Sequence, residues 1–471
     1  MTQTVNPWRL SIRLSALAAA ALLAACSSMA PTYQRPAAPV AATWPQDATI
    51  EGTPAAADIA WQSFFPDPRL RELIALALQG NRDLRVAMLA IEQARAQSQI
   101  RNAERLPTIN AQATGSRTPT SSGGSTSIYT AGLALSAWEI DLFGRIASLG
   151  DVAVAQYLAT TEGRAAAQTS LVAAVANTWL ALVADEDLLS ITRQTLATRQ
   201  ESLKLAKLRF DSGVTSELDF RQAESLTESA RVTRAQLQRQ RALDENALVL
   251  LLGQPLPPAL QAIAGIDTVT LPELPAGAPS DLLQRRADIR QAEQQLLAAN
   301  ANIGAARAAF FPRIALTAGI GSASSELTGL FKSGSFGLTV APQLLLPIFD
   351  AGRNQAGLQS ATVGREIAIA QYERSIQAAF REVADALAGR RTLADQLQAQ
   401  RAVAAAESAR LRLSDLRYSN GVASYLDLLD AQRSLFAAQQ ALVQTRLAQL
   451  QAQVNLYKAL GGGWSEGDAR P

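Results

Sequence analysis

Two aspartates close the stretch RYSNGVASYLDLLD, Asp427 and Asp430, three residues apart. On a helix this spacing puts both carboxylates on neighbouring positions of one face, where like charges cost a few tenths of a kcal/mol. Such a pair is either a solvated surface feature or a cation-attracting element, the latter most effective if several chains bring their pairs into one ring. Proton-transfer chemistry has little else to draw on. The chain has no histidine and a single cysteine, Cys26, so the usual general base near neutral pH and the commonest transition-metal ligand are both missing. No catalytic residue, metal ligand or cofactor site is assigned, and no enzymatic activity is expected. With 43 basic against 41 acidic residues, there is no electrostatic case for nucleic acid as a partner.

The elements that position these acids are legible because the stretch occurs twice. RFDSGVTSELDF, Arg209 to Phe220, repeats much of it. Gly421, after Asn420, suits the positive φ that ends a helix, and Ser424 with Asp427 fits a capping box that starts the next. Gly213, Ser216 and Asp219 do the same in the earlier copy. Each copy is therefore the tip of a helical hairpin. Asp219 and Asp427 read equally well as capping acids favoured by the helix dipole. Asp430 does not, since its counterpart is Gln222.

The twin tips belong to a longer duplication. An offset of 208 relates Arg209 to Arg417, Gly144-Arg145 to Gly352-Arg353 and Leu252 to Leu460, and upstream an offset of 205 relates Asp83 to Asp288 and Leu106-Pro107 to Phe311-Pro312. The expected organisation is a signal peptide (1–25), an extended N-terminal segment (26–60), a first repeat (61–253), a proline-rich linker (254–280), a second repeat (281–461) and a C-terminal tail (462–471). Each repeat holds a helix, a β-hairpin (about 107–141 and about 312–349) and a long helical hairpin with its tip near 213 or 421.

Proline separates two kinds of structure. None lies between Pro119 and Pro255 or between Pro347 and Pro471, and both stretches are rich in good helix formers. Arg145 to Phe210 as one helix would extend about 100 Å. Leu428, Leu435, Leu442, Gln449 and Leu456 recur every seven residues beside Ala431, Ala438, Thr445, Ala452 and Ala459, a repeat that underwinds a helix into a left-handed coiled coil. The first half is less regular there, with Arg234 and Arg241 on one seam. Charges such as Arg164, Asp185, Glu186 and Asp187 keep the long helix from lying along lipid.

Between the helices the period changes to two. Ile314, Leu316, Ala318 and Ile320 alternate with small or polar residues, as do Phe336, Leu338, Val340 and Pro342, a strand signal. The first half repeats it around TINAQAT and SIYTAGLALSAWE, with TPTSSGGST as the tip. There the alternation favours Tyr129, Leu133 and Leu135, one step out of phase at the 208 offset, which requires a bulge or a shifted register. Four strands per chain suit a soluble sandwich fragment, or a membrane barrel only if chains pool them, because barrels have at least about eight strands and open edges are not tolerated in lipid.

At the N-terminus, Arg9 and Arg13 precede an apolar run, Leu14 to Ala25, too short to span a bilayer and shaped like an export signal. Its LAAC ending resembles the lipobox of bacterial lipoproteins, which implies a covalent lipid on Cys26. Ser27, where an inner-membrane protein would carry Asp, favours the outer membrane.

Taken together, WQSFFPDPRLRELIALALQGNRDL, WEIDLFGR, RRADIRQAE, LPIFDAGR and GVASYLDLLDAQ resemble the signatures of TolC-like outer-membrane efflux factors, in particular the NodT-type lipoprotein branch that serves RND efflux systems. The resemblance implies a mainly α fold with a membrane β part: a homotrimer whose twelve strands form an outer-membrane barrel and whose twelve long helices form a periplasmic tunnel. It implies an exit duct joined through a periplasmic adaptor, the membrane fusion protein, to an inner-membrane transporter of RND type, with type I protein secretion as the alternative. Carried over by motif, Asp427 and Asp430 line a periplasmic aperture, with Tyr418 and Asp219 in the network that closes it. Gly213-Val214 and Gly421-Val422 become the tips that meet the adaptor. The family's basic partner falls on Ala423, so closure here cannot use that ion pair. Arg285 and Arg286 read as helix-start packing, with Ala287 where the motif usually has proline. A non-transporting coiled-coil lipoprotein would leave the strands without purpose, and an enzyme working through acids three residues apart would need activity lost in Asp430→Asn.

Overall fold

The computed structural model describes residues 28–41, 43–44, 58–121, 123–261, 265–275 and 279–464. Cys26 and the signal peptide lie outside them. The chain divides into two compact units, one of residues up to 37, 90–161 and 291–373, the other of 38–89, 162–290 and 374 onward.

The regular elements are helices α1 (Trp61–Phe64), α2 (Pro68–Gly80) and α3 (Arg82–Ala103), strands β1 (Ile109–Pro119) and β2 (Ser125–Ile140), helices α4 (Arg145–Asp211), α5 (Glu217–Leu252), α6 (Pro279–Arg285) and α7 (Ala287–Ala308), strands β3 (Arg313–Ser324) and β4 (Phe336–Leu345), and helices α8 (Arg353–Ser419) and α9 (Tyr425–Ala459). Lengths repeat across the chain: α4 and α8 both have 67 residues, and α3 and α7 both have 22.

The first unit carries the sheet. Its four strands are antiparallel in the order β1-β2-β3-β4. Register places Ile109 opposite Leu135, Leu133 opposite Ile320, and Ile320 opposite Leu338, so these side chains share one face. Asn110, Gln112 and Thr114 alternate with them and share the other face with Thr130, Gly319 and Thr339. Neither face is covered: every residue of β1 and β4 is exposed, Phe336 and Leu338 at 69% and 70%. β1 and β4 also present unpaired edges, which in an isolated sheet invite pairing with another chain.

The phase difference between the halves has a located cause. Leu135 opposes Ala318 and Trp138 opposes Leu316, so β2 advances three residues while β3 advances two. Ala137 sits at φ 47°, and its N–H donates to Thr317 Oγ1 at 3.2 Å, which satisfies the displaced amide. The first hairpin tip is shorter than TPTSSGGST, because Thr118 pairs with Thr126 and Pro119 with Ser125. Threonine favours strand, and a proline at the end of an edge strand loses no ladder bond. Gly132 and Gly321 face each other so closely that a Cβ on either would lie 2.6 Å from the other's Cα.

An N-terminal strap also belongs to this unit. Arg35 makes a two-pronged contact to Glu293 at 2.7 and 2.5 Å, Tyr33 donates to the same carboxylate at 3.0 Å, and Asn300 donates to the Pro31 carbonyl at 2.7 Å. At the junction of β2 and α4, Gly144 takes φ 69° and Arg145 forks onto Glu139 at 2.8 and 2.7 Å.

The second unit holds a conventional core. Asp67 caps α2 by accepting from the Arg69 and Leu70 amides, and Pro68 stands at the first helical position, where its missing N–H costs nothing. Leu70, Leu73, Ile74 and Ala77 then form the buried stripe, which packs on α5. Phe64 stacks on Tyr457 with centroids 4.0 Å apart, and Tyr457 donates to the Ile59 carbonyl at 2.6 Å. One 18-residue window of α4 is apolar enough to cross a membrane, but 56% of it is buried within the chain, with Trp179, Leu180 and Val183 in the core. Its apolarity therefore serves packing. On α9 the alanine seam is buried at Ala431, Ala438, Thr445 and Ala459, while Leu435 and Leu442 of the leucine seam are only half-buried.

Arg286 is the polar anchor of this core. Its guanidinium reaches Asp288 at 2.6 Å, Glu382 at 2.8 Å and the Ala459 carbonyl at 3.0 Å. Burial works against its charge, but the two acids outweigh it and hold the pKa above the usual arginine value. The helix-start packing expected of this motif is what the contacts describe.

Candidate functional site

The two tips are built alike. α4 ends at Asp211 and α8 at Ser419, and in each turn a glycine adopts the left-handed conformation, Gly213 at φ 73° and Gly421 at φ 72°. The following valine amide closes the turn, Val214 onto the Arg209 carbonyl at 2.8 Å and Val422 onto the Arg417 carbonyl at 2.9 Å. Ser216 and Ser424 then cap α5 and α9. Val214 and Val422 project outward, 74% and 67% exposed. An aromatic pair bridges each hairpin: Phe210 with Phe220 at 5.7 Å, and Tyr418 with Tyr425 at 5.3 Å.

The acids diverge in their partners. Asp427 completes a reciprocal capping box, accepting from the Ser424 amide and hydroxyl at 3.2 and 2.9 Å while its own amide donates to the Ser424 hydroxyl. Asp219 accepts from the Thr215 and Ser216 hydroxyls at 2.8 and 2.9 Å, and those bonds, Thr215 foremost, hold its carboxyl below the usual aspartate range. Both are capping acids, as one reading of the sequence has it. Asp430 is instead clamped by two arginines. Arg410 of α8 donates to one oxygen at 2.5 Å and Arg433 to the other, and the contact with Arg410 does most to keep Asp430 ionised. The two aspartates thus do not share a partner within one chain.

Three residues at this end escaped the sequence reading. Arg209 donates to the Tyr418 hydroxyl at 2.5 Å, with its guanidinium 5.6 Å from the ring centre. Tyr425 lies among Tyr418, Asp219 and Arg209 and so links the residues expected in one network; its hydroxyl is buried without a hydrogen-bond partner, and burial pushes its pKa up to about 12. Arg410 completes the set. A signal for it existed: at the 208 offset Arg410, Asp430 and Arg433 correspond to Ser202, Gln222 and Ser225. Three charges appear together in one repeat and are neutral together in the other, as an interacting set would.

The sequence pattern of the family described as outer membrane efflux protein matches residues 73–254 and 278–462. The chain belongs to that family. It is thereby an outer-membrane transport component, mainly helical with a small sheet. The antibiotic efflux pump outer membrane protein ArpC and the toluene efflux pump outer membrane protein TtgC, both of Pseudomonas putida, are each 47% identical over 464 residues, 96% of this chain and 96% of theirs. Among solved structures, the open state of the MtrE outer membrane channel of Neisseria gonorrhoeae matches with a TM-score of 0.85 at 41% identity, over 93% of this chain and 98% of that one.

Proposed function

We propose that the protein is the exit duct of a tripartite efflux pump, a passive channel through the outer membrane fed by an inner-membrane transporter of RND type through a periplasmic adaptor. The observation that carries this reading is the sheet: four strands with an apolar face, a polar face and two unpaired edges. In lipid such edges must be closed, and three chains would close twelve strands into one barrel with its polar face toward water. Cys26 adds a covalent lipid at the membrane surface.

The aperture reading rests on Asp427 and Asp430, with Tyr418 and Asp219 behind them. Six carboxylates from three chains would attract cations into the constriction. Ala423 supplies no cation, so the polar tie between the two long hairpins falls to Arg209 on Tyr418, while Arg410 on Asp430 ties α8 to α9 within the second hairpin. The tips Gly213-Val214 and Gly421-Val422 offer the adaptor an apolar contact at each hairpin. The cargo is set by the transporter; relatives named for antibiotic and for toluene efflux point to small apolar or amphiphilic molecules. Restoration of drug and solvent tolerance in a strain lacking its own duct, by this protein with a cognate transporter and adaptor, tests the reading; a reconstituted protein that conducts no current in planar bilayers counts against it.

A further inference from the structure

Helix α4 carries three acids in succession, Asp185, Glu186 and Asp187, and each meets a different partner. Glu186 accepts from the Arg241 guanidinium of α5. Asp187 accepts from the backbone N–H groups of Gly265 and Ile266 at 2.8 and 2.7 Å. Asp185 has no cation of its own. It is 5% exposed, its Oδ2 is buried without a hydrogen-bond partner, and the group it faces is another carboxyl, Asp244 of α5.

The surroundings do not neutralise this pair. Asp244 accepts from Gln240 Nε2 at 3.2 Å to each oxygen, which brings no charge. The other charged groups acting on Asp185 are Glu186 on its own helix and Arg241 on α5. Arg241 is already engaged by Glu186 and by Glu245 at 2.8 Å. Two facing carboxyls, one sealed from water, cannot both stay ionised at low cost. A single proton between them removes one charge and gives the orphaned oxygen a hydrogen bond.

We propose that Asp185 and Asp244 form a one-proton site that fastens α4 to α5. Burial, then the charge of Asp244, pushes the Asp185 carboxyl up to about 7, the direction this arrangement demands. An unfolded chain with an ordinary aspartate pKa of about 4 loses the proton first. The contribution of this site to stability is therefore greatest below about pH 4 and falls through about pH 7, by up to about tenfold in the folding equilibrium per pH unit, with no further loss above. A divalent cation is the competing occupant, but among the described residues no group of three or more histidine, cysteine, aspartate or glutamate side chains could hold one.

The test is infrared difference spectroscopy of the full-length protein in detergent between about pH 5.5 and about pH 8.5, either side of the upper part of that window. The expected result is a protonated-carboxyl C=O band present at the lower pH, lost at the higher, and absent from Asp185→Asn. In parallel the thermal midpoint of the wild type falls between the two pH values, while that of Asp185→Asn does not. Should Asp185→Asn fail to fold, the wild-type spectrum alone decides whether a protonated carboxyl exists, and in Asp244→Asn, where burial still acts on Asp185 but the facing charge is gone, the band is lost at a lower pH than in wild type. A wild type with no such band, or a band that survives in the variant, overturns the proposal. So does a wild-type midpoint at the higher pH that calcium chloride restores and a chelator abolishes, since the site then takes a cation.

Discussion

Arg410 of α8 and Asp430 of α9 are joined at 2.5 Å, and Arg433, one turn along α9, takes the other carboxylate oxygen. The acid most exposed to a functional reading is thus one whose charge is offset within its own chain. Exposed ion pairs of this kind contribute little to stability, so their removal should alter the site more than the fold. Arg410→Ala should leave the thermal midpoint nearly unchanged and free Asp430 for cations. Single-channel recording should then show stronger block by divalent cations than in wild type, whereas Asp427→Ala with Asp430→Ala should weaken block. Unchanged block in both variants would count against the aperture assignment.

The tips make a separable prediction. Val214 and Val422 stand 74% and 67% exposed on turns whose geometry comes from Gly213 and Gly421. Val214→Asp with Val422→Asp should therefore cost less than about 0.5 kcal/mol in stability while reducing adaptor binding, measured by co-purification or surface plasmon resonance. Gly421→Val differs: no atom lies within 4 Å of the added Cβ, so the penalty is purely the left-handed backbone, about 1–2 kcal/mol. Equal adaptor affinity in the double valine variant would remove the tips from the docking reading.

Gly132 and Gly321 test the sheet. A Cβ on Gly132 would lie 2.3 Å from the Ile320 carbonyl oxygen, a backbone atom that cannot swing away. Gly132→Val should prevent β2 from pairing with β3, and the protein should reach the membrane fraction without forming a heat-resistant, protease-protected assembly on gels. A normal assembly would show that the register is not the one described.

Arg286 should matter for stability alone. Arg286→Ala leaves the Ala459 carbonyl without its donor and opens a buried space, while Asp288 and Glu382, less than half exposed, can turn to water. The expected loss is about 1–3 kcal/mol, read as a lower thermal midpoint with unchanged conductance per channel.

Much of this architecture was legible because the chain says things twice. Glycine at a fixed offset in two tips, serine three residues before an acid, and two long stretches free of proline are enough to place both long hairpins. The strands were visible from period two, and the phase slip at Tyr129 to Leu135 already required the irregularity that Ala137 supplies. The tip of the first β-hairpin is shorter than its composition suggests, since Thr118 and Thr126 look like turn residues until their cross-strand pairing is known. At the candidate site the acids were legible and their partners were not. Arg209, Arg410 and Tyr425 reach the site from separate helical segments, and sequence separation hides such contacts unless the two repeats are compared position by position.

The claim on which the rest depends is that one chain cannot close its own sheet. Native mass spectrometry of the detergent-extracted protein, followed by planar-bilayer recording of the same preparation, tests it directly. The expected result is a particle of three chains that conducts. A folded single chain that is stable in detergent, or a single chain that conducts, would contradict it.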